Sequence, residues 1–315
     1  MKITEKIKQK QILSLEILPP DRGKNLEEIC QVLDRLLEFP VDFISVTRHP
    51  PEITYLELPD KIIKVPKVKR PGATGITAAL MNKYRIEVIP HVLCYGMSKY
   101  ELEDMLIDLH LLGVQNIFIV RGEYEHRRPA EVQDEYQHAE ELVRQVAGLN
   151  RGEYLYPCEN AQPTDFCIGV AGYPEKHPES PNLTEDLRHL KAKVDAGAEF
   201  IFTQMVFDSE IYQRFIERAA VYSINVPIIP GIKPVISLKT VYNLPRKFFV
   251  NIPEDLVSRL QEARSPEQEF KVGTRYMARL VQELLVSGAP GVHVFTMGQG
   301  RATQALLQAV YGKEI

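Results

Sequence analysis

Short apolar runs rich in β-branched residues alternate along the chain with longer segments of helical periodicity. Ile12–Ile17, Phe43–Thr47, Val88–Val92, Asn116–Val120, Cys167–Ala171, Phe200–Gln204, Val226–Pro230 and Val292–Phe295 read as strands. Apolar and polar positions do not alternate strictly within them, which predicts strands covered on both faces. The intervening helices are expected at Asn25–Glu38, Ser98–Leu112, Glu131–Ala147, Thr184–Ala196, Ser209–Tyr222, Pro253–Ala263, Pro266–Ser287 and Arg301–Val310. Ser98 with Glu101 three residues on makes a capping box, and Gly113 supplies the stop. Thr184 is the expected cap of its helix and Gly197 the stop.

Eight strands separated by helices, with no break in composition, predict an α/β chain of one domain over residues 1–315. Its form is a closed (β/α)₈ TIM barrel. The alternative is an open doubly wound sheet, but no GxGxxG follows any of the strands. Residues 61–71, KIIKVPKVKRP, read as a solvated basic loop, and residues 150–166 as a long loop before the fifth strand.

Composition narrows the function. A formal net charge of −4 argues against a nucleic-acid partner. The four cysteines, Cys30, Cys94, Cys158 and Cys167, form no CxxC pair, and no histidine pair has helical ligand spacing, so no metal is expected. Reduced thiols, no signal peptide and no membrane span place the expected protein in the cytoplasm.

Barrel enzymes carry their chemistry at the C-terminal ends of the strands. Those ends read Glu16, Thr47, His91, Arg121 with Glu123, Tyr173, Gln204, Gly231 and Thr296. A cluster of that kind predicts a polar pocket at one mouth. Glu16, flanked by apolar residues in SLEILPP, is either a salt-bridge partner or a general acid. Glu123 follows Arg121-Gly122, whose glycine permits close approach of a ligand; a plain Arg–Glu pair is the other reading. Gln204 offers a donor and an acceptor to a heterocycle edge, or only bonds backbone. His177 and Lys193 are candidates for a cofactor phosphate or adenine, although a lone lysine on a helix is usually just solvated.

Taken together, SLEILPP, DFISVT, PHVLC, IVRGE, GVAGYPEKHPES, the DLxxLKxKVDAGA run ending in FTQMVFD, VPIIPGIKP and VHVFTMG resemble the methylenetetrahydrofolate reductase family. The resemblance implies a barrel holding noncovalent FAD. It implies reduction of 5,10-methylenetetrahydrofolate to 5-methyltetrahydrofolate with NADH or NADPH by a ping-pong route, within one-carbon metabolism and methionine biosynthesis. It further implies a homo-oligomer, with a partner subunit as a further option.

Carried over by position, Glu16 resembles the family's general acid, which protonates folate N10. Glu123 takes the place of an aspartate that touches the pterin, and Gln204 that of a pterin-binding glutamine. Thr47, His91, Arg121, Gly122, His138, Ala139, Tyr173, His177, Asp186 and Lys193 fall on or near flavin-contacting positions. The chain departs from the family in VTRHP for VTYG, RGE for RGD, VFTMG for FYTLN, and Ala192 for an arginine. These departures leave open a paralogue acting on another folate or pterin, a partner-dependent flavin subunit, or a silent pterin-binding protein.

Overall fold

The computed structural model describes residues 1–50, 52–122 and 133–312. The chain opens with α1 (Ile3–Ile7), β1 (Ile12–Ile17), α2 (Glu27–Leu36), β2 (Phe43–Val46) and an inserted hairpin, β3 (Glu52–Leu58) and β4 (Lys61–Lys67). Next come α3 (Ala73–Tyr84), β5 (Glu87–Leu93), α4 (Lys99–Leu111), β6 (Asn116–Val120), α5 (Ala139–Leu149) and β7 (Cys167–Gly172). Then follow α6 (Leu183–Asp195), β8 (Phe200–Met205), α7 (Ser209–Val221), β9 (Ile228–Ile232) and α8 (Leu238–Phe248). The chain ends with α9 (Glu254–Gln261), α10 (Pro266–Val286), β10 (Gly291–Phe295) and α11 (Gly300–Tyr311).

Eight strands close in the order β1-β10-β9-β8-β7-β6-β5-β2, every neighbouring pair parallel. This is the predicted (β/α)₈ barrel. The missing alternation in the sequence has a direct cause, because both strand faces are buried. Ile12, Phe43, Ile89, Phe118, Cys167, Phe200, Phe202 and Ile229 fill the interior. Leu13, Leu15, Ile117, Ile119, Ile168 and Val170 turn outward into the core shared with the helices.

Several boundaries differ from the pattern reading. Residues 61–67 are not a loop: the β-branched Ile62, Ile63 and Val65 pair antiparallel with β3. The hairpin keeps much apolar surface in solvent, with Tyr55 64% and Ile62 66% exposed. Helix α5 begins at Ala139 rather than 131, where Glu141 Oε2 accepts from the amides of Gln137 and His138. Asn182, not Thr184, caps α6, its side chain accepting from Glu185 N at 3.0 Å. The Ser98–Glu101 capping box forms as expected. Helices α1, α3 and α8 went unread; the first is short and α8 carries Pro245 inside.

The N-terminal end of the barrel is closed by α1. Ile3 is fully buried against the interior apolar residues. Asn116 locks it, its Oδ1 accepting from Ile3 N at 2.7 Å and its Nδ2 donating to Met1 O at 3.1 Å. Asn116→Ala should therefore lower stability by about 2 kcal/mol, the cost of an unpaired buried amide, and reduce Tm by a few degrees. Thermal unfolding followed by circular dichroism checks this; an unchanged Tm would mean the lock is slack. With that end sealed, the opposite mouth is the open end of the barrel among the described residues. No helix of the described residues is long and apolar enough to cross a membrane.

Candidate active site

Glu16 sits at the open mouth. The inward parity of β1 runs Ile12, Ser14, Glu16, so the acid stands two residues above a buried serine. Its side chain is enclosed, with the residue 9% exposed. Oε2 of Glu16 lies 3.7 Å from His91 Nε2 on β5 and 3.7 Å from His293 Nε2 on β10. One carboxylate oxygen is thus flanked by two imidazoles.

Hydrogen bonds below fix those rings. Ser45 Oγ donates to Ile89 O at 3.3 Å, so it accepts from His91 Nε2 at 2.9 Å. His293 Nδ1 lies 3.0 Å from Ser14 Oγ; with Nε2–H toward Glu16, Nδ1 accepts from the serine hydroxyl. The rings also stack into a belt across the barrel. His91 packs on Phe118 at 4.9 Å, Phe118 on Phe202 at 5.3 Å, and Phe202 lies nearly parallel to His293 at 3.9 Å. Burial pushes the His91 imidazole down to about 4, against the pull of the Glu16 carboxylate. His91 is therefore a neutral donor at physiological pH.

Glycine makes room for the Phe295 ring, which meets His293 edge-on at 5.0 Å. A Cβ on Gly231 would lie 2.3 Å from Thr203 O and 2.5 Å from the Phe295 ring, so no larger residue fits that point of β9. Two residues on, with the same inward parity, Lys233 is buried at the mouth end of β9 within the electrostatic reach of Glu16. Its Nζ donates to Gln299 Oε1 at 3.0 Å.

A second group gathers over β6 and β7. Arg121 pairs with Glu179 at 2.5 Å and lies over the Tyr95 ring at 5.6 Å. That bond to Arg121 holds the Glu179 carboxyl below its usual range. Tyr173 meets His177 edge-on at 4.7 Å. Asp186 is buried with both oxygens committed to the loop, accepting from His177 N at 3.2 Å and Ser180 Oγ at 3.1 Å. Lys193 reaches back to Ala171 O at 2.6 Å, and burial pushes its ammonium down to about 8 while Asp186 pulls the other way. Gly122 has φ +95°, a backbone that disfavours any side chain there. His138 and Ala139 form the N-terminus of α5, with the imidazole exposed.

The remaining sequence candidates divide. Thr47 is buried just past β2, its Oγ1 3.4 Å from His49 Nε2. Gln204 ends the inward row of β8, and its Oε1 accepts from Met205 N at 3.0 Å. Arg48, the unexpected charge in VTRHP, points its guanidinium at the sulfurs of Met97 and Met105. Glu123 lies outside the described residues. His293, Lys233, Ser14 and Ser45 were not singled out by sequence. The period-2 parity of VHVF beside SLE was the available signal.

The family model for methylenetetrahydrofolate reductase matches residues 2–311. The chain belongs to that family. It is 29% identical over 295 residues to the 5,10-methylenetetrahydrofolate reductase of Pectobacterium carotovorum, covering 93% of this chain and 88% of the relative. It is 27% identical over 305 residues to a probable methylenetetrahydrofolate reductase (NADPH) of Caenorhabditis elegans, covering 96% of this chain and 42% of the relative. It is 29% identical over 323 residues to methylenetetrahydrofolate reductase 2 of Saccharomyces cerevisiae, covering 98% and 49%. The chain thus spans about half the length of the eukaryotic relatives. Its fold is similar to that of an uncharacterised Clostridium thermocellum protein described as binding two copies of 5-methyl-5,6,7,8-tetrahydrofolic acid, with TM-score 0.61, 16% identity and 98% of each chain covered.

Proposed function

We propose that this protein reduces 5,10-methylenetetrahydrofolate to 5-methyltetrahydrofolate, using FAD and NADH or NADPH, in the cytoplasm. The observation that carries this reading is Glu16, an enclosed acid at the one open mouth of a reductase-family barrel, with two imidazoles on a single oxygen.

The residues of the β6–β7 side fit a flavin nucleotide. Lys193 and Arg121 bring cations, and Tyr95, Tyr173 and His177 bring ring faces and edges. The N-terminus of α5, at His138 and Ala139, adds the positive end of a helix dipole, with the His138 amide itself held by Glu141 Oε2. Thr47, His91 and Gly122 complete the positions that this reading gives to the cofactor, and Asp186 orders the loop that carries His177. Bound there, FAD would supply hydride to the folate after taking it from the nicotinamide, in two successive half-reactions.

The chain's own work is then on the folate. Glu16 hands a proton to N10, which opens the five-membered ring to a 5-iminium cation, and the resulting carboxylate stabilises that cation. Gln204 offers its amide to the pterin edge, and Glu123 brings a second negative charge. His91 and His293 flank the Glu16 carboxyl at 3.7 Å and wall it off from solvent.

The protein should purify yellow, release FAD rather than FMN on denaturation, and bleach anaerobically with NADH or NADPH. Adding 5,10-methylenetetrahydrofolate should restore the colour with formation of 5-methyltetrahydrofolate. A colourless protein that cannot be reconstituted with FAD would remove this reading.

A further inference from the structure

Lys233 is buried at the mouth end of β9, where the Glu16 carboxylate acts on its charge, and no step above uses it. It follows β9 directly, on the inward parity set by Ile229 and Gly231, and is only 3% exposed. An ammonium carries three donors. One of them goes to Gln299 Oε1. Among the described residues no carboxylate lies within ion-pair distance of Nζ; Glu16 is the charged group that acts on it, from farther away. A buried cation with donors to spare is costly unless a ligand completes its shell.

Position says which ligand. The flavin-side cations, rings and helix terminus stand on β6, β7, α5 and α6. Lys233 stands across the barrel, between Gln204 on β8 and Glu16 on β1, with β10 intervening. That is the side given above to the pterin, and this inference rests on that reading. We propose that Lys233 is a substrate-binding residue that donates from its ammonium to the lactam carbonyl oxygen of the bound pterin.

The charge matters to this bond. Burial lowers the Lys233 ammonium to about 8, with the Glu16 carboxylate pulling it back up. Above that pH the bond loses its charge, and a neutral amine donates more weakly. The pterin should therefore bind more weakly at pH 9 than at pH 7.

The test is the dissociation constant of 5-methyltetrahydrofolate on the flavin-loaded protein, at pH 7 and pH 9, for wild type, Lys233→Met and Lys233→Arg. The methionine variant should bind about 10- to 100-fold more weakly at pH 7, the range of one charge-assisted hydrogen bond, and lose the pH dependence. The arginine variant, charged throughout, should stay within a few-fold of wild type and bind alike at both pH values. Equal affinity of the methionine variant and wild type at pH 7 overturns the assignment. So does a pH-dependent arginine variant, since the titrating group is then elsewhere, with Lys193 the candidate. A methionine variant that purifies without flavin overturns it too, because the cation then serves the cofactor. If wild type binds no 5-methyltetrahydrofolate while retaining FAD, the folate reading of the site fails, and this assignment fails with it.

Discussion

Glu16→Gln should slow the folate half-reaction by at least about 10²-fold, the lower range for a general acid, while nicotinamide-to-flavin reduction proceeds nearly as in wild type. The substitution is close to isosteric. The two imidazoles that flank Oε2 at 3.7 Å are fixed from below by Ser45 and Ser14 rather than by Glu16, so the aromatic belt of His91, Phe118, Phe202 and His293 has no reason to repack. What the amide cannot do is release a proton to N10 or leave a carboxylate beside the cation that follows. Both losses fall on the folate step alone. Stopped-flow absorbance of the two half-reactions separates them. An equal drop in both would make Glu16 a structural or flavin-binding acid. Neutral His91 cannot take over, since protonating it means acidifying to about 4.

The acid itself was legible in SLEILPP, because a charge inside an apolar strand at a barrel's C-terminal end has few bland explanations. Its surroundings were not. Ser14 and His293 are 279 residues apart and meet only because β1 and β10 close the barrel in the register Ser14 to His293. Local periodicity cannot give the register between the first strand and the last. Lys233 was missed for a more local reason. Pro227, Pro230 and Gly231 make VPIIPGIKP look finished at Pro230, whereas β9 runs from Ile228 to Ile232. The strand tolerates Pro230 because the β8–β9 register is irregular there, shifting between Phe202 and Met205. That two-residue error ended the strand on Gly231 and hid the lysine at the next inward position. The β3–β4 hairpin escaped because Lys61, Lys64 and Lys67 fall every third residue and Pro66 interrupts β4, so the segment shows no period-two alternation.

Lys193→Met should act in opposite directions on cofactor and fold. At pH 7 the Lys193 ammonium is charged in both folded and unfolded states, but its value falls from 10.5 to about 8 on folding. The empty fold therefore bears the full desolvation cost of the cation below pH 8, and is relieved of it only as pH rises from 8 towards 10.5. Methionine fills similar space without that cost, so the apoprotein variant should melt no lower than wild type at pH 7, despite losing the bond to Ala171 O. FAD affinity should move the other way, by about 10²-fold or more, because a partly buried cation facing a diphosphate has no substitute among the neighbours. Arg121 is already paired with Glu179 and His177 is held neutral by burial. Wild-type FAD affinity should also fall as pH climbs through 8, a decline that the methionine variant lacks. Differential scanning calorimetry of the apoproteins and flavin titration of each, at pH 7 and pH 9, read the two effects separately. A variant that melts lower yet keeps its flavin would make Lys193 a structural clamp on β7 and move the phosphate site elsewhere.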